Sequence, residues 1–149
     1  MRVVIQRVSR AAVRVADEVV GVIGRGHLVL VAFREGDSEA EMRYMAEKII
    51  NLRLFEDDEG KMNLSLLDVA GELLVVSQFT LYGDARKGRR PSYSTSAPAD
   101  KAEGLYEAFL TILRTTEVVV RAGRFQAHME VELVNDGPVT LLLDSDKSF

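Results

Sequence analysis

A glycine-proline pair stands within the run Asn135-Asp136-Gly137-Pro138-Val139-Thr140, between two strand-like segments at residues 129–134 and 139–143. Proline fixes its own φ angle and cannot donate a hydrogen bond to a sheet, so it marks a rigid corner of the chain. The three residues ahead of it are types that tolerate positive φ. Taken alone, this pattern predicts a tight turn, and the residue types permit a cis Gly-Pro bond without requiring one.

The composition is typical of one soluble globular domain. The chain has 149 residues, of which 47% are hydrophobic, so it can bury one core but is short for two domains. It has no cysteine, which excludes disulfides, thiolate zinc sites and cysteine nucleophiles. No apolar run approaches the roughly 20 residues of a membrane span, and the apolar core of the N-terminus is too short for a signal peptide. We therefore expect one cytoplasmic domain over residues 1–149, with residues 145–149 as a mobile tail and no contact with a membrane.

The charges are distributed unevenly along the chain. The formal net charge is −4, which disfavours a protein that coats nucleic acids. The run Arg86-Lys87-Gly88-Arg89-Arg90 is an exception, because it places four cations in five residues. Such a run is compatible with a solvated loop and with a patch that contacts phosphates, and composition does not choose between them.

Hydrophobic periodicity predicts about nine strands and two main helices. The first helix follows a capping-box pattern formed by Ser38 and Glu41, and the second begins at Pro98. The fold class that we expect is α+β, with curved, mostly antiparallel β-sheets packed against the two helices in a single domain. The predicted strands cover residues 1–8, 11–15, 18–23, 26–33, 52–56, 73–81, 118–120, 129–134 and 139–143.

Few side chains of the kinds used in catalysis are present. Of the two histidines, His27 begins an apolar strand, where a structural role is favoured, and no nearby residues complete a catalytic relay with His128. The acidic run Asp57-Asp58-Glu59-Gly60 lacks the spacing of a calcium loop and reads as a turn. We therefore expect neither a metal ion nor a cofactor.

Three polar side chains interrupt an apolar strand in the run Ser77-Gln78-Phe79-Thr80. Polar groups are costly to bury unless they are paired, so this run indicates either a strand that emerges at a sheet edge or a substrate cradle. In a cradle, the backbone N–H groups of Phe79 and Thr80 would bind an oxyanion, and Gln78 would clamp the substrate. Thr80 is also conceivable as a nucleophile, although no base that would activate it is visible.

Six segments occur together in an order that is highly specific, although each is weak alone. They are Ile5-Gln6-Arg7-Val8, Gly60-Lys61-Met62-Asn63-Leu64, Ser77-Gln78-Phe79-Thr80-Leu81, Arg86-Lys87-Gly88-Arg89-Arg90-Pro91-Ser92, Gly123-Arg124-Phe125 and Asn135-Asp136-Gly137-Pro138-Val139-Thr140. With these segments the chain resembles the D-aminoacyl-tRNA deacylase family from Met1 to about Asp144. The run at 77–80 and the Gly-Pro run correspond to the active-site motifs of that family. The chain departs from the family in two places. Gly83-Asp84-Ala85 stands where the family usually shows an alanine, an aspartate and a threonine, and His128 stands where it usually carries an acidic residue.

The resemblance implies a homodimer that hydrolyses the ester between a D-amino acid, or glycine, and the 3′-terminal adenosine of tRNA. It implies a cis Gly137–Pro138 bond that enters the partner's cavity and rejects L-amino acids by steric exclusion. Arg7 would brace the Gly-Pro loop, and Met129 would line the adenine pocket. The neighbouring ribose hydroxyl of the tRNA would help to activate water.

The resemblance also implies roles for the two polar runs. The backbone N–H groups of Phe79 and Thr80 would bind the oxyanion, while Ser77 and Gln78 would contact adenosine and the pocket. The cations Arg86, Lys87, Arg89 and Arg90 would meet acceptor-stem phosphates. Two other hypotheses stay open, namely an RNA-binding module without turnover and a general esterase with Thr80 as its nucleophile.

Overall fold

The fold is described for residues 1–149 by a computed structural model and is built on one six-stranded mixed sheet. Its helices are α1 (Glu39–Asn51) and α2 (Ala99–Arg114), with a 3-10 helix at Phe79–Tyr82. The strands are β1 (Arg2–Val15), β2 (Glu18–Ile23), β3 (Gly26–Ala32), β4 (Phe55–Glu56), β5 (Met62–Leu64), β6 (Glu72–Ser77), β7 (Val120–Ala122) and β8 (Glu130–Asp144).

The long strand β1 organises the sheet. Its first half pairs antiparallel with β3 and its second half with β2, while β8 pairs antiparallel with its other edge along almost its whole length. From β3 the sheet continues through parallel β6 to parallel β7. The short strands β4 and β5 form a separate antiparallel pair. The sheet is therefore mixed.

The sheet curls until β2 closes over β6 and β7. A Cβ atom at Gly21 of β2 would lie 3.0 Å from both the carbonyl oxygen of Ala122 and the Cδ1 atom of Leu74. Glycine at this position therefore permits the close approach of strands that are not neighbours in the sheet. The backbone N–H of Gly24 also donates a hydrogen bond of 2.8 Å to the side chain of Glu72, which fastens the end of β2 to β6.

Two hydrophobic cores lie on opposite faces of the sheet. Because successive residues of a strand point to opposite faces, Val29 and Val75 pack toward α1 and α2, whereas Leu28 and Leu74 fill the inside of the curl. Both helices agree with the sequence predictions. The capping box of α1 at Ser38 and Glu41 is present, and Pro98 is the residue immediately before α2.

Several strand boundaries differ from the sequence predictions. Residues 1–8 and 11–15 are joined in one strand, β1, and the two predicted C-terminal strands are joined in β8. Irregular pairing near Val8 bends both strands without ending them, so the predicted Gly-Pro corner is an irregularity within β8. The strand predicted at 73–81 ends at Ser77 because the chain then turns into the 3-10 helix.

Smaller differences affect three short strands. The prediction of a strand at 52–56 is correct only for Phe55–Glu56, and the strand predicted at 118–120 lies at Val120–Ala122. The strand β5 has only three residues and was not predicted.

The C-terminal residues contact the body of the protein. Arg34 is 2.5 Å from a carboxylate oxygen of Asp146, and the hydroxyl of Ser148 donates to Asp144 at 2.6 Å. The mobility expected of residues 145–149 stays a prediction. None of the helices combines the length and the apolar character that crossing a membrane requires.

Candidate functional site

A cavity of about 880 Å³ opens at the carboxyl ends of the parallel strands β3 and β6, beside the beginning of α2. Residue Val31 of β3 is paired with Ser77 of β6, so both strands end at the cavity floor. The backbone N–H of Ala97 donates to the carbonyl of Phe33 at 2.9 Å and holds the segment before α2 against the end of β3. The walls comprise residues 31–33, 76–79, 93, 96–99, 102, 125–129 and 131. Most of them are hydrophobic, which suits a ligand that carries an aromatic or aliphatic group.

The run at 77–80 supplies polar groups to the cavity because the chain leaves the sheet there. The N–H of Gln78 still donates to Val31 in the sheet, at 2.7 Å, and the N–H of Leu81 donates back to Gln78 at 3.1 Å. Between these two, the N–H groups of Phe79 and Thr80 donate no hydrogen bond within the chain. Two adjacent main-chain donors are therefore available to an acceptor from outside.

The structure brings most of the predicted substrate residues together. Ser77, Gln78, Phe79 and Met129 all line the cavity. A Cβ atom at Gly123 would lie 2.7 Å from the sulfur of Met129, so glycine at that position makes room for the methionine.

The side chain of Thr80 differs from those of Ser77, Gln78 and Phe79 because it does not face the cavity. It is not among the residues that line the cavity, and its hydroxyl accepts a hydrogen bond of 2.5 Å from the side-chain amide of Gln78. No histidine or carboxylate is hydrogen-bonded to it. A nucleophilic Thr80 would need a base hydrogen-bonded to its hydroxyl, and the role of Thr80 as a nucleophile stays a prediction.

Gly137 and Pro138 lie outside the cavity of their own chain. They are exposed, they belong to the irregular part of β8 beside Arg7, and the bond between them is cis. Among the cavity walls, Val131 lies on β8 itself, six residues before Gly137, and Ser77 lies three strands away across the sheet and about four residues further along it. With strands about 4.8 Å apart and a rise of about 3.3 Å per residue, this path along the sheet measures roughly 20 Å.

Arg7 and Asn135 hold the Gly-Pro loop. The buried guanidinium of Arg7 donates to the carbonyls of Asp136, at 3.0 Å, and Leu54, at 2.7 Å. The side-chain amide of Asn135 donates to the carbonyls of Arg7, at 2.9 Å, and Val139, at 3.0 Å. Arg7 therefore contacts the loop that the resemblance implies it braces.

The basic run forms an exposed loop beyond the 3-10 helix. Asp84 and Ser92 close the loop through two backbone hydrogen bonds of 2.8 and 2.9 Å. Arg86 binds both carboxylate oxygens of Asp84 within the loop, at 2.8 and 2.7 Å, and these hydrogen bonds lower the pKa of Asp84. The other cations, Lys87, Arg89 and Arg90, form no ion pair. Three of the four predicted phosphate ligands are thus unpaired, whereas Arg86 already has a partner.

The two histidines occupy contrasting positions. His128 is exposed and lines the cavity, whereas His27 is fully buried away from it, and neither ring nitrogen of His27 has a hydrogen-bond partner. Burial lowers the pKa of His27 to about 4, so the ring is neutral near pH 7. No three histidine, aspartate or glutamate side chains are grouped closely enough to hold a metal ion.

Sequence reasoning did not identify several residues of the cavity walls. Tyr93 and Ser96 come from the loop after the basic run, and Gln126 adopts a φ of 59° in the loop before β8. Phe125 belongs to a segment that carried the resemblance, but no role was predicted for it. The resemblance at that segment is the one sequence feature that could have indicated Phe125 as a wall residue. The positions of Tyr93, Ser96 and Gln126 depend on how their loops pack against distant parts of the chain.

Residues 4–144 match the family described as D-Tyr-tRNA(Tyr) deacylase. A protein of Thermosipho africanus named D-aminoacyl-tRNA deacylase is 61% identical over 149 residues, which is 100% of both chains. One with the same name from Thermotoga petrophila is 56% identical, also over 100% of both. A solved structure titled c-Myc DNA Unwinding Element Binding Protein superposes with a TM-score of 0.91 at 44% identity and covers 97% of this chain and 98% of that one. A probable eukaryotic D-amino acid tRNA deacylase shares the fold, with a TM-score of 0.80 at 22% identity over 95% of this chain and 97% of that one.

Proposed function

The chain belongs to the D-Tyr-tRNA(Tyr) deacylase family, and from this membership we propose that it hydrolyses the ester between a D-amino acid and the 3′-terminal adenosine of tRNA. Its relatives are hydrolases that act on ester bonds, and the chain is an enzyme of that class. The observation that carries the proposal for the site is the pair of unused backbone N–H groups at Phe79 and Thr80, beside a largely hydrophobic cavity.

Ester hydrolysis passes through a tetrahedral intermediate whose oxygen becomes negatively charged. Main-chain N–H groups that already point at this position stabilise the charge without reorganising, and the loss of one such donor typically slows a reaction about 10²–10³-fold. In our proposal, the N–H groups of Phe79 and Thr80 bind this oxygen. Ser77 and Gln78 contact the adenosine and the pocket, and Met129 lines the wall against which the adenine lies.

The cavity offers few side chains for proton transfer. An aminoacyl ester is intrinsically labile, so positioning the ester beside two oxyanion donors supplies much of the required acceleration. We infer that the ribose hydroxyl next to the ester helps to activate the attacking water. The substrate would then supply part of the catalytic machinery itself.

Selection for D-amino acids is assigned to Gly137 and Pro138 of a partner subunit in a homodimer. Two observations support this assignment. The pair is exposed and lies roughly 20 Å along the sheet from the cavity of its own chain, and the outer edge of β8 has no strand partner. An unpaired edge of 15 residues is a ready surface for a second chain. A glycyl ester has no side chain to reject and would also be hydrolysed.

The unpaired cations of the basic loop are assigned to the acceptor stem of the tRNA. Lys87, Arg89 and Arg90 lie in the loop that Asp84 and Ser92 close, directly before the cavity-lining Tyr93, so a phosphate backbone that leaves the cavity would pass near them. Arg86 would take part only by releasing Asp84.

The proposal is tested with the same tRNA charged with D-tyrosine or with L-tyrosine. We expect the protein to release D-tyrosine at catalytic concentrations and to leave the L-ester intact. Binding of tRNA without release of D-tyrosine at micromolar protein would favour the RNA-binding hypothesis instead. Equal release from both esters would contradict the proposed chiral selection.

A further inference from the structure

Two aromatic rings, Phe79 and Tyr93, stand together at the rim of the cavity. Their centroids are 5.1 Å apart and their planes meet at 71°, so the edge of one ring faces the other. Phe79 is 56% exposed and Tyr93 is 38% exposed, although both line the cavity. Phenylalanine is usually buried in folded proteins and tyrosine is often partly buried, so two adjoining exposed rings at the rim of a cavity favour a surface that a ligand covers.

The local backbone holds Tyr93 in this position. A Cβ atom at Gly83 would lie 3.0 Å from the Cε1 atom of Tyr93, so the ring packs against a bare glycine at the end of the 3-10 helix. The paired residues Asp84 and Ser92 close the loop just before Tyr93. The ring is therefore supported by the fold and presents a prepared surface.

The charges around the pair favour a nucleic acid over a neutral partner. Arg90 is three residues from Tyr93, and a fully extended chain of that length spans about 11 Å at most. Lys87 and Arg89 belong to the same loop and have no ion-pair partner. Proteins bind single-stranded nucleic acids with this combination, in which aromatic rings stack on bases while nearby cations contact phosphates.

We propose that Phe79 and Tyr93 form a stacking surface for the base of a nucleotide that precedes the terminal adenosine in the single-stranded 3′ end of the RNA substrate. The inference rests on the proposed function, because the adjoining cavity is assigned there to the terminal adenosine. The next base upstream leaves the cavity at its rim, where the two rings lie. The phosphates that follow meet Lys87, Arg89 and Arg90.

Binding of uncharged oligonucleotides tests this surface without any turnover. The probes are adenosine and the trinucleotide CCA, which is the 3′ end shared by tRNAs, and the variant is Tyr93→Ala. Stacking of one base on an aromatic ring corresponds to roughly a 5- to 150-fold change in affinity. We expect the wild-type protein to bind CCA more tightly than adenosine, and Tyr93→Ala to lose at least fivefold in CCA affinity with less than a twofold change for adenosine.

Further variants separate stacking from a structural role. Tyr93→Phe should retain the affinity for CCA, because it keeps the ring, and Phe79→Leu should show the same selective loss as Tyr93→Ala. The matched control is Tyr44→Ala on α1, another exposed tyrosine, which should change neither affinity. Equal affinity of the wild type for CCA and adenosine would overturn the inference. So would an equal loss for both probes in Tyr93→Ala, or a change in its oligomeric state.

The proposed function can fail independently of this result. It fails if D-tyrosyl-tRNA is not hydrolysed, whereas the stacking inference is decided by the CCA and adenosine affinities alone.

Discussion

The imidazole of His27 stacks on the ring of Phe55, with centroids 5.1 Å apart and planes 12° apart. Because burial lowers the pKa of His27 from 6.5 to about 4, the folded protein holds this ring neutral at a pH where the unfolded chain protonates it. The unfolded state therefore binds the extra proton between pH 6.5 and 4. As the pH decreases over this interval, the contribution of His27 to the free energy of unfolding should fall by about 3 kcal/mol. Above pH 6.5 this contribution should change little.

The variant His27→Leu, of similar size, should remove this part of the pH dependence. Urea unfolding at several pH values between 4 and 7.5 gives the free energy of unfolding of each protein. The difference between variant and wild type isolates the contribution of His27, because the acidic side chains titrate in both. The control is His128→Leu, because His128 is exposed. Parallel stability curves for wild type and His27→Leu would contradict the prediction.

Gly137→Ala should strongly reduce D-tyrosyl-tRNA hydrolysis. Gly137 has a φ of 122°, and an added Cβ atom would lie 2.8 Å from Nη2 of Arg7, so the methyl group would strain the loop and displace its support. We expect kcat/KM for D-tyrosyl-tRNA to fall at least about tenfold. Gly60→Ala is the matched control, because Gly60 also has positive φ but open space around it. Activity of Gly137→Ala equal to that of the control would argue against the role proposed for Gly137 and Pro138 in selecting D-amino acids.

Thr80→Val should retain most of the activity. The substitution removes the hydroxyl but leaves the backbone N–H, so oxyanion binding predicts a change in kcat of less than about tenfold. A nucleophilic hydroxyl predicts instead a loss of several orders of magnitude and an acyl adduct on the wild-type protein, which mass spectrometry would detect. Thr111→Val on the exposed face of α2 controls for the change of residue type.

Removal of the unpaired cations should weaken the salt dependence of tRNA binding. The triple variant Lys87→Gln, Arg89→Gln and Arg90→Gln should lower the slope of log affinity against log salt concentration by about 2, since each phosphate contact contributes roughly 0.7–0.9. Arg86→Gln should change the slope less, because Arg86 is paired with Asp84. Arg43→Gln on α1, which removes a cation that is also in an ion pair, should leave the slope unchanged. A triple variant with the wild-type slope would exclude this loop from phosphate contact.

Gly26→Ala should prevent normal packing of the strands below the cavity. An added Cβ atom would lie 1.9 Å from the carbonyl oxygen of Glu72, on the strand that pairs with β3. Since backbone atoms cannot move aside cheaply, we expect a loss of about 3 kcal/mol or more in the free energy of unfolding. The control, Gly104→Ala in α2, has no neighbour within 4 Å and should stabilise the helix by about 0.5–1 kcal/mol. Chemical denaturation of both variants measures the contrast, and similar stabilities would contradict the packing described.

The helices could be predicted from the sequence because their signals are local. The capping box at Ser38 and the apolar stripe of α2 depend on residues three or four positions apart, and both are present in the structure. The joining of two predicted strands in β8 could not be foreseen in this way. The two segments belong to one strand because β1, more than 100 residues away in the sequence, pairs with β8 both before Gly137 and after Pro138.

The residues of the site likewise divide into those that a local sequence pattern predicts and those whose position depends on distant parts of the chain. The run at 77–80 can be recognised as a candidate site in the sequence because polar residues interrupt an apolar strand, and three of its residues line the cavity. The position of Tyr93 could not be predicted, since it depends on how the loop after the 3-10 helix folds against Gly83. The separation of Gly137 from the cavity also depends on the order of the strands, which the local pattern does not determine.

Because the unused donors at Phe79 and Thr80 belong to the backbone, they persist through most amino-acid substitutions at these positions. Every amino acid except proline carries a backbone N–H, so ordinary substitutions at these two positions leave the donors chemically intact. Reagents that modify side-chain hydroxyl or imidazole groups nearby would leave these two main-chain donors unreacted. Evolution could therefore vary the side chains at these two positions while keeping both donors, and only proline, as in Phe79→Pro or Thr80→Pro, would delete one outright.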